Sequence, residues 1–304
     1  MLFPDSVVIR EVGPRDGFQN EPEIIPTAEK VRLIGMLART GVARIEVTSF
    51  VRADVIPQLA DAEEVLAEID VPDGVSVSVL VPNERGLERA LAAGGFDTVS
   101  CFLSASETHN RHNVGRSVEE SLIACERVIE GARAAGLAAG GVIATSFGCP
   151  YEGVVDPARV LEIAGRLAAA GAGEVGFGDT TGMANPVAVD AFFRHAAEEL
   201  GGSLELTAHF HNTRGQGLAN VVAALGAGCR SFESSFGELG GCPVPVGATG
   251  NIATEDLVGM LEEMGISTGV DLEAMLDAAA AVRALLGRSL GSHTLVAGPI
   301  DWRR

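Results

Sequence analysis

One unit repeats eight times along this sequence: a short β-prone run, a polar loop, then a helical run. The β-prone runs fall at residues 7–12, 44–48, 75–81, 98–103, 138–145, 174–177, 204–210 and 230–234. Helical runs follow at 27–40, 57–69, 84–93, 117–135, 156–170, 186–200, 217–226 and from 254. Parallel strands need a crossover, usually a helix, so each unit places the next strand beside the last. Eight such units predict an α/β fold, a closed (β/α)8 TIM barrel. An open doubly wound sheet is the alternative, but the first loop, residues 13–20, carries no G-x-G-x-x-G fingerprint.

Local signals place the helix ends. Thr27, with Glu29 in the first turn, is expected to cap the first helix, and Gly41 to end it. Ser117 with Glu120 has capping-box spacing, and Asp156-Pro157 reads as a cap followed by proline at the first helical position. Past Gly265 the chain stays helical and rich in Ala and Leu at 272–290. This predicts a C-terminal helical extension, about residues 266–304, packed on the barrel. No linker divides the chain, so 1–304 is expected to be a single domain.

Composition narrows the partners. Hydrophobic residues make up 47% of the 304, enough for a large core, and the net charge is −19. Nucleic-acid phosphates need basic surface, so no nucleic-acid partner is expected. An anionic substrate would need local positive charge against this field. No run of 18 apolar residues occurs, which predicts no membrane span. Residues 1–10 lack a basic region followed by an apolar core, so a cytoplasmic location is expected. The five cysteines are odd in number and unpaired in spacing, as expected of reduced thiols.

Within the seventh strand run stands Thr207-Ala208-His209-Phe210-His211-Asn212. Residues two apart on a strand share a face, so His209 and His211 point the same way. Two imidazoles on one face suit a divalent metal, or a histidine pair satisfied by core hydrogen bonds. The stretch alone does not choose. Barrels gather reactive groups at the C-terminal ends of their strands. Arg15 and Asp16 follow the first strand, Glu46 lies in the second, Asp179 follows the sixth, and Cys242 and Asn251 follow the eighth. The mixed nitrogen and oxygen set fits Mg²⁺ or Mn²⁺, with imidazole extending the choice to Co²⁺ or Zn²⁺.

The motifs Glu11-Val12-Gly13-Pro14-Arg15-Asp16-Gly17, Glu46-Val47-Thr48-Ser49-Phe50, Gly148-Cys149-Pro150-Tyr151-Glu152-Gly153, Gly178-Asp179-Thr180, Gly240-Gly241-Cys242-Pro243 and Gly250-Asn251-Ile252-Ala253-Thr254-Glu255-Asp256 go further. Through them the chain resembles the 3-hydroxy-3-methylglutaryl-CoA lyase family, from Glu11 to about Gly269. The resemblance implies a divalent metal, Mg²⁺ or Mn²⁺, held by Asp16, His209, His211 and Asn251. It implies that Arg15 faces the substrate oxygens with Glu46 nearby, and that Cys242 lies on a mobile loop closing over the site. The reaction implied is carbon–carbon cleavage of an acyl-CoA, 3-hydroxy-3-methylglutaryl-CoA or a close relative, to acetyl-CoA and acetoacetate, as in leucine degradation. Asp179 would be a base or a support. Ser49, Asn113 and Gly176, with Arg15, would contact substrate. A related metal-dependent aldolase or Claisen-type synthase is the alternative, and a catalytically dead binding barrel is a third reading that the complete metal set opposes.

Each of these residues has a plainer role open to it. Asp16 could cap a turn, Glu46 could be a buried salt-bridge partner of Arg15, and Cys242 could be a packed thiol. Cys149 reads as structural, and Cys101, Cys125 and Cys229 as core. His109 and His112 are expected to be exposed, within reach of CoA phosphates, and His195 and His293 to be surface residues. Several positions depart from the resemblance. Asn212 stands where aspartate is expected and Gly176 where serine is expected. Residues 143–147 and 243–247 also differ. These departures are expected to line the acyl pocket and so to set the acyl chain. Barrels of this kind often pair, which suggests a homodimer or larger homo-oligomer through the Ala/Leu-rich C-terminal helices.

Overall fold

The computed structural model describes residues 3–202, 204–241 and 249–300. Eight parallel strands close into a barrel: β1 (Val8–Glu11), β2 (Arg44–Ser49), β3 (Ser76–Leu80), β4 (Thr98–Ser104), β5 (Ala138–Ala144), β6 (Glu174–Asp179), β7 (Glu205–Phe210) and β8 (Ser231–Ser234). β1 closes on β8, with Val8 opposite Ser231 and Glu11 opposite Ser234. The outer ring consists of α1 (Thr27–Ala38), α2 (Ala62–Glu68), α3 (Glu84–Ala93), α4 (Glu107–Val114), α5 (Val118–Ala134), α6 (Pro157–Ala169), α7 (Pro186–Leu200), α8 (Gly217–Gly226), α9 (Thr254–Glu263), α10 (Leu272–Leu286) and α11 (Thr294–Ala297).

The hydrophobic core lies between barrel and helices, and it sets which strand residues face inward. On β6, Phe177 packs against Phe192 of α7 with ring centroids 4.9 Å apart. On β7, Phe210 meets Phe147 at 5.9 Å. Strand alternation then turns the residues flanking Phe210, His209 and His211, toward the barrel axis.

Three local expectations are corrected. Thr27 is the first helical residue rather than the cap, and its hydroxyl donates to Asp61 at 2.8 Å. The second helical run divides into a 3₁₀ turn, Pro57–Leu59, and α2. The polar loop after β4 contains α4, a helix that the weak intrinsic preferences of Thr, His and Asn conceal. Tertiary hydrogen bonds hold α4 in place. Buried Asn110 accepts from Ser104 N–H at 2.9 Å and donates to Ser121 Oγ at 2.7 Å. The Ser117–Glu120 capping box and the Asp156 cap form as expected.

α10 packs on α1 and α9 and buries Met275, Ala278, Ala279 and Val282. One face of the Ala/Leu-rich stretch is therefore packed within the protomer, while residues such as Leu285 on the same helix stay exposed. Among the described residues no helix is long and apolar enough to cross a membrane.

Candidate active site

Immediately after β1 the chain makes a tight turn, Gly13–Gly17, that carries Arg15 and Asp16 into the mouth of the barrel. Glu11 anchors this turn. Its buried carboxylate accepts from Gly13 N–H at 2.7 Å, from Phe236 N–H after β8 at 3.1 Å, and from the Thr254 hydroxyl at the start of α9 at 2.7 Å. Burial pushes this carboxyl up to about 8 despite those donors. The motif residue Glu11 therefore ties the turn after β1 to both ends of the β8–α9 connection beneath the site.

Arg15 donates from Nε to Glu46 on β2 and from Nη1 to Asp16 at 2.5 Å. The Arg15–Glu46 salt bridge read as an alternative is thus present, and it fixes Arg15 at the site. Burial raises the Glu46 carboxyl, Arg15 partly offsets this, and the Glu233 charge adds to it. Burial alone would raise Asp16 as well. Arg15, His209 and the Asn251 amide outweigh it and hold Asp16 ionised below its ordinary range.

The two histidines converge as the strand period requires, with Nε2 of His211 3.0 Å from Nε2 of His209. Ligand atoms of Asp16, His209 and His211 lie within 4.8 Å of one another. Asn251 arrives through a bridge to His211. Its Nδ2 donates to Asp16 at 2.8 Å and to the Leu239 carbonyl at 3.1 Å, while its Oδ1 is buried without a partner. A buried orphan amide oxygen is costly unless something accepts its lone pair. Gly240 completes the wall. A Cβ there would meet Asn251 Nδ2 at 2.7 Å and Asp16 Oδ2 at 3.3 Å. Burial and the neighbouring His209 push His211 down to about 3, so its imidazole is neutral and keeps one unprotonated ring nitrogen able to bind. Three carboxylates (Asp16, Glu46 and Glu233) face one guanidinium, Arg15. Two converging imidazoles, an orphaned amide oxygen and surplus negative charge fit a divalent cation.

Glu233 was not singled out in the sequence. It lies opposite His209 in the β7–β8 register and accepts from His209 Nδ1 at 2.8 Å. That bond leaves His209 Nε2 as the free acceptor. The available signal was a lone carboxylate inside the otherwise uncharged run Ser231-Phe232-Glu233-Ser234.

The remaining expected residues separate. A cavity of about 1230 Å³ opens over the cluster and reaches Asn113 on α4. Asp179, at the end of β6, lies outside the cavity lining. Its carboxylate accepts from Met183 N–H at 2.7 Å and Ala184 N–H at 2.9 Å, and burial raises it to about 7. The neighbouring Thr180 lines the cavity instead. Ser49 is buried and accepts from Val51 N–H at 3.2 Å, and Gly176 packs against Val142. Neither Ser49 nor Gly176 lines the cavity, whereas Val142 does. Cys242 and the departures at 243–247 fall outside the described residues.

His109 is a correction. It is buried on α4 rather than exposed, in the wall of the cavity, while Ser106 caps the helix at His109 N–H. His112 is exposed and stacks on Tyr151 at 4.9 Å. Cys149 is buried with its thiol 3.0 Å from Ser106 Oγ, and Cys101, Cys125 and Cys229 are buried, as expected. His195 pairs on the surface with Glu199 at 2.8 Å, and His293 is exposed. The departure at Asn212 is a second correction. Its side chain does not line the cavity but turns to Glu238.

These features define an enzyme of the (β/α)8-barrel class, with a candidate divalent-metal centre at the C-terminal ends of the strands. The chain belongs to the HMGL-like family, whose model matches residues 6–282. It is 45% identical to a hydroxymethylglutaryl-CoA lyase of Bacillus subtilis over 97% of this chain and 98% of that one. It is 43% identical to the mitochondrial hydroxymethylglutaryl-CoA lyase of Bos taurus over 95% of this chain and 89% of that one. The solved Bacillus subtilis HMG-CoA lyase superimposes with a TM-score of 0.94, covering 98% of this chain and 99% of that one. An HMG-CoA lyase from Acinetobacter baumannii, solved with coenzyme A and 3-methylmalate, is 40% identical, with a TM-score of 0.94 over 100% of this chain and 99% of that one.

Proposed function

We propose that this protein is a divalent-metal-dependent lyase that cleaves 3-hydroxy-3-methylglutaryl-CoA to acetyl-CoA and acetoacetate. The observation that carries the reading is the convergence of Asp16, His209 and His211 beside Arg15 at the base of one large cavity, with Asn251 against Asp16 and its amide oxygen unpartnered. Those four residues would hold Mg²⁺ or Mn²⁺. Such an ion supplies Lewis acidity that lowers the pKa of the substrate's tertiary hydroxyl and orients its carboxylate.

The protein's own groups account for the remaining steps. The hydroxyl proton passes to a basic side chain of the cluster, a carboxylate or an imidazole, the oxygen's electron pair forms the ketone, and the C2–C3 bond breaks. The released pair becomes the enolate of acetyl-CoA, which then takes a proton. Arg15, immobilised by Glu46, holds negative charge on the substrate oxygens. Glu233 keeps His209 in one tautomer. Cys242 or a neighbouring histidine would give that proton to the enolate. Asp179 supports the loop at 183–184 beside the site rather than acting as base. Asn113 lies where the acyl-CoA chain would run. Arg85 and Arg116 also line the cavity and make no ion pair with described residues. In so acidic a chain they are the local positive charge that CoA phosphates require.

The test is to incubate the metal-loaded protein with 3-hydroxy-3-methylglutaryl-CoA and a panel of 3-hydroxyacyl-CoAs. Acetyl-CoA should form from the first. Acetyl-CoA from none of them would sink the reading.

A further inference from the structure

Asn212 follows His211, and alternation along the chain sends its side chain out of the cavity. There it bridges the two stems of one loop. Its backbone N–H donates to the Gly250 carbonyl at 3.1 Å, and its Nδ2 donates to Glu238 Oε2 at 3.4 Å. Glu238 and Gly250 bracket the segment whose sequence contains Cys242. The stems are pressed together, because a Cβ on Gly250 would meet the Glu238 carbonyl oxygen at 2.4 Å and the Gly240 carbonyl oxygen at 2.6 Å. Gly240 on one stem and Asn251 on the other both lie against Asp16.

Glu238 is held at some cost. Its φ of 61° is in the left-handed region, which disfavours any residue with a Cβ. Its carboxylate packs against Gly291 and shares its surroundings with Asp256 and His293. A strained, partly desolvated acid persists where the surrounding structure makes use of it.

We propose that Asn212 and Glu238 form a clasp that positions the stems at 238–240 and 249–251, and through them Asn251 and Gly240 against Asp16. An aspartate at 212 would set two carboxylates face to face, whereas an amide donates to Glu238. Asparagine at 212 is thus the partner that Glu238 requires. The departure at this position concerns the loop and leaves the acyl pocket unchanged. The proposal rests on the lyase reading for its kinetic consequence.

Four proteins are compared at saturating divalent metal and well below their melting temperatures: wild type, Asn212→Asp, Glu238→Gln and Asn212→Asp/Glu238→Gln. Asn212→Asp should lower kcat by about tenfold to hundredfold, the scale set by small misplacements of catalytic geometry, with a smaller change in KM. The double variant should recover most of that loss, since glutamine can donate to the new carboxylate. Hydrogen exchange at the stem amides, 238–241 and 249–251, should rise in Asn212→Asp and fall back in the double variant. A wild-type kcat in Asn212→Asp overturns the clasp, even if its melting temperature drops. A double variant no better than Asn212→Asp also overturns it. If the wild type makes no acetyl-CoA, the lyase reading fails, and hydrogen exchange alone then decides the clasp.

Discussion

At the N-terminal ends of the strands, Arg10 and Arg44 meet Glu174 and Glu205 as opposites. At the other end, Asp16, His209 and His211 converge, and Asn251 donates to Asp16 while its own amide oxygen has no partner. In the lower cluster Arg10 donates to Glu174 at 2.9 Å and to Glu205 at 2.8 Å, and Arg44 donates to Glu174 at 2.5 Å. The upper cluster has two imidazole nitrogens 3.0 Å apart and an amide oxygen with no partner. One scaffold thus carries a polar layer whose charges answer each other and a second layer that a cation would complete. The lower layer contributes to the fold, and the upper layer is arranged for chemistry at the expense of local stability.

The largest test of this contrast is His209→Ala. It removes one of the converging donors, and both metal retention and turnover should fall to background. Metal content and acetyl-CoA release, measured on the same preparation, decide it. A variant that keeps its metal and its rate would mean that the upper cluster is not the metal centre.

Glu174→Ala should act in the opposite way. It leaves Arg10, with only 6% of its side chain exposed, without its principal partner. Removing one member of a buried ion pair costs about 3–5 kcal/mol. That corresponds to a fall in melting temperature of roughly 5–15 °C. Turnover per folded molecule at 25 °C should stay at the wild-type value. A loss of turnover without a loss of stability would show that the two ends are not separable.

The sequence made the barrel legible because its signals are repeated and local. Eight β-prone runs alternate with helical runs, and caps such as Ser117–Glu120 mark the boundaries. α4 escaped because its order comes from Asn110, whose partners Ser104 and Ser121 are brought to it by the fold. The site divided along the same line. Strand periodicity is enough to put His209 and His211 on one face, and the motif residues Arg15 and Asp16 follow from the end of β1. Asp179 and Asn212 were read by their distance along the chain from the site. Both side chains leave the cavity by alternation, Asp179 as the last residue of β6 and Asn212 just past the end of β7. Glu233 became visible only with the β7–β8 register, which sets it opposite His209.

Glu233→Gln is the smallest effect and the sharpest comparison, since Glu233 and Glu174 are both acids paired inside the same barrel. Glutamine can still accept from His209 Nδ1, so the tautomer and ring orientation persist while the charge is lost. Losing such an outer partner of a histidine ligand weakens metal affinity by about 10–100-fold. Saturating metal should then restore most of the rate, and the melting temperature of the metal-free protein should change far less than in Glu174→Ala. Titration of apoprotein with Mn²⁺, set beside thermal melts of both variants, separates the two layers. Equal losses of stability in Glu233→Gln and Glu174→Ala, with metal affinity intact in both, would make His209–Glu233 another structural ion pair and erase the distinction between the ends.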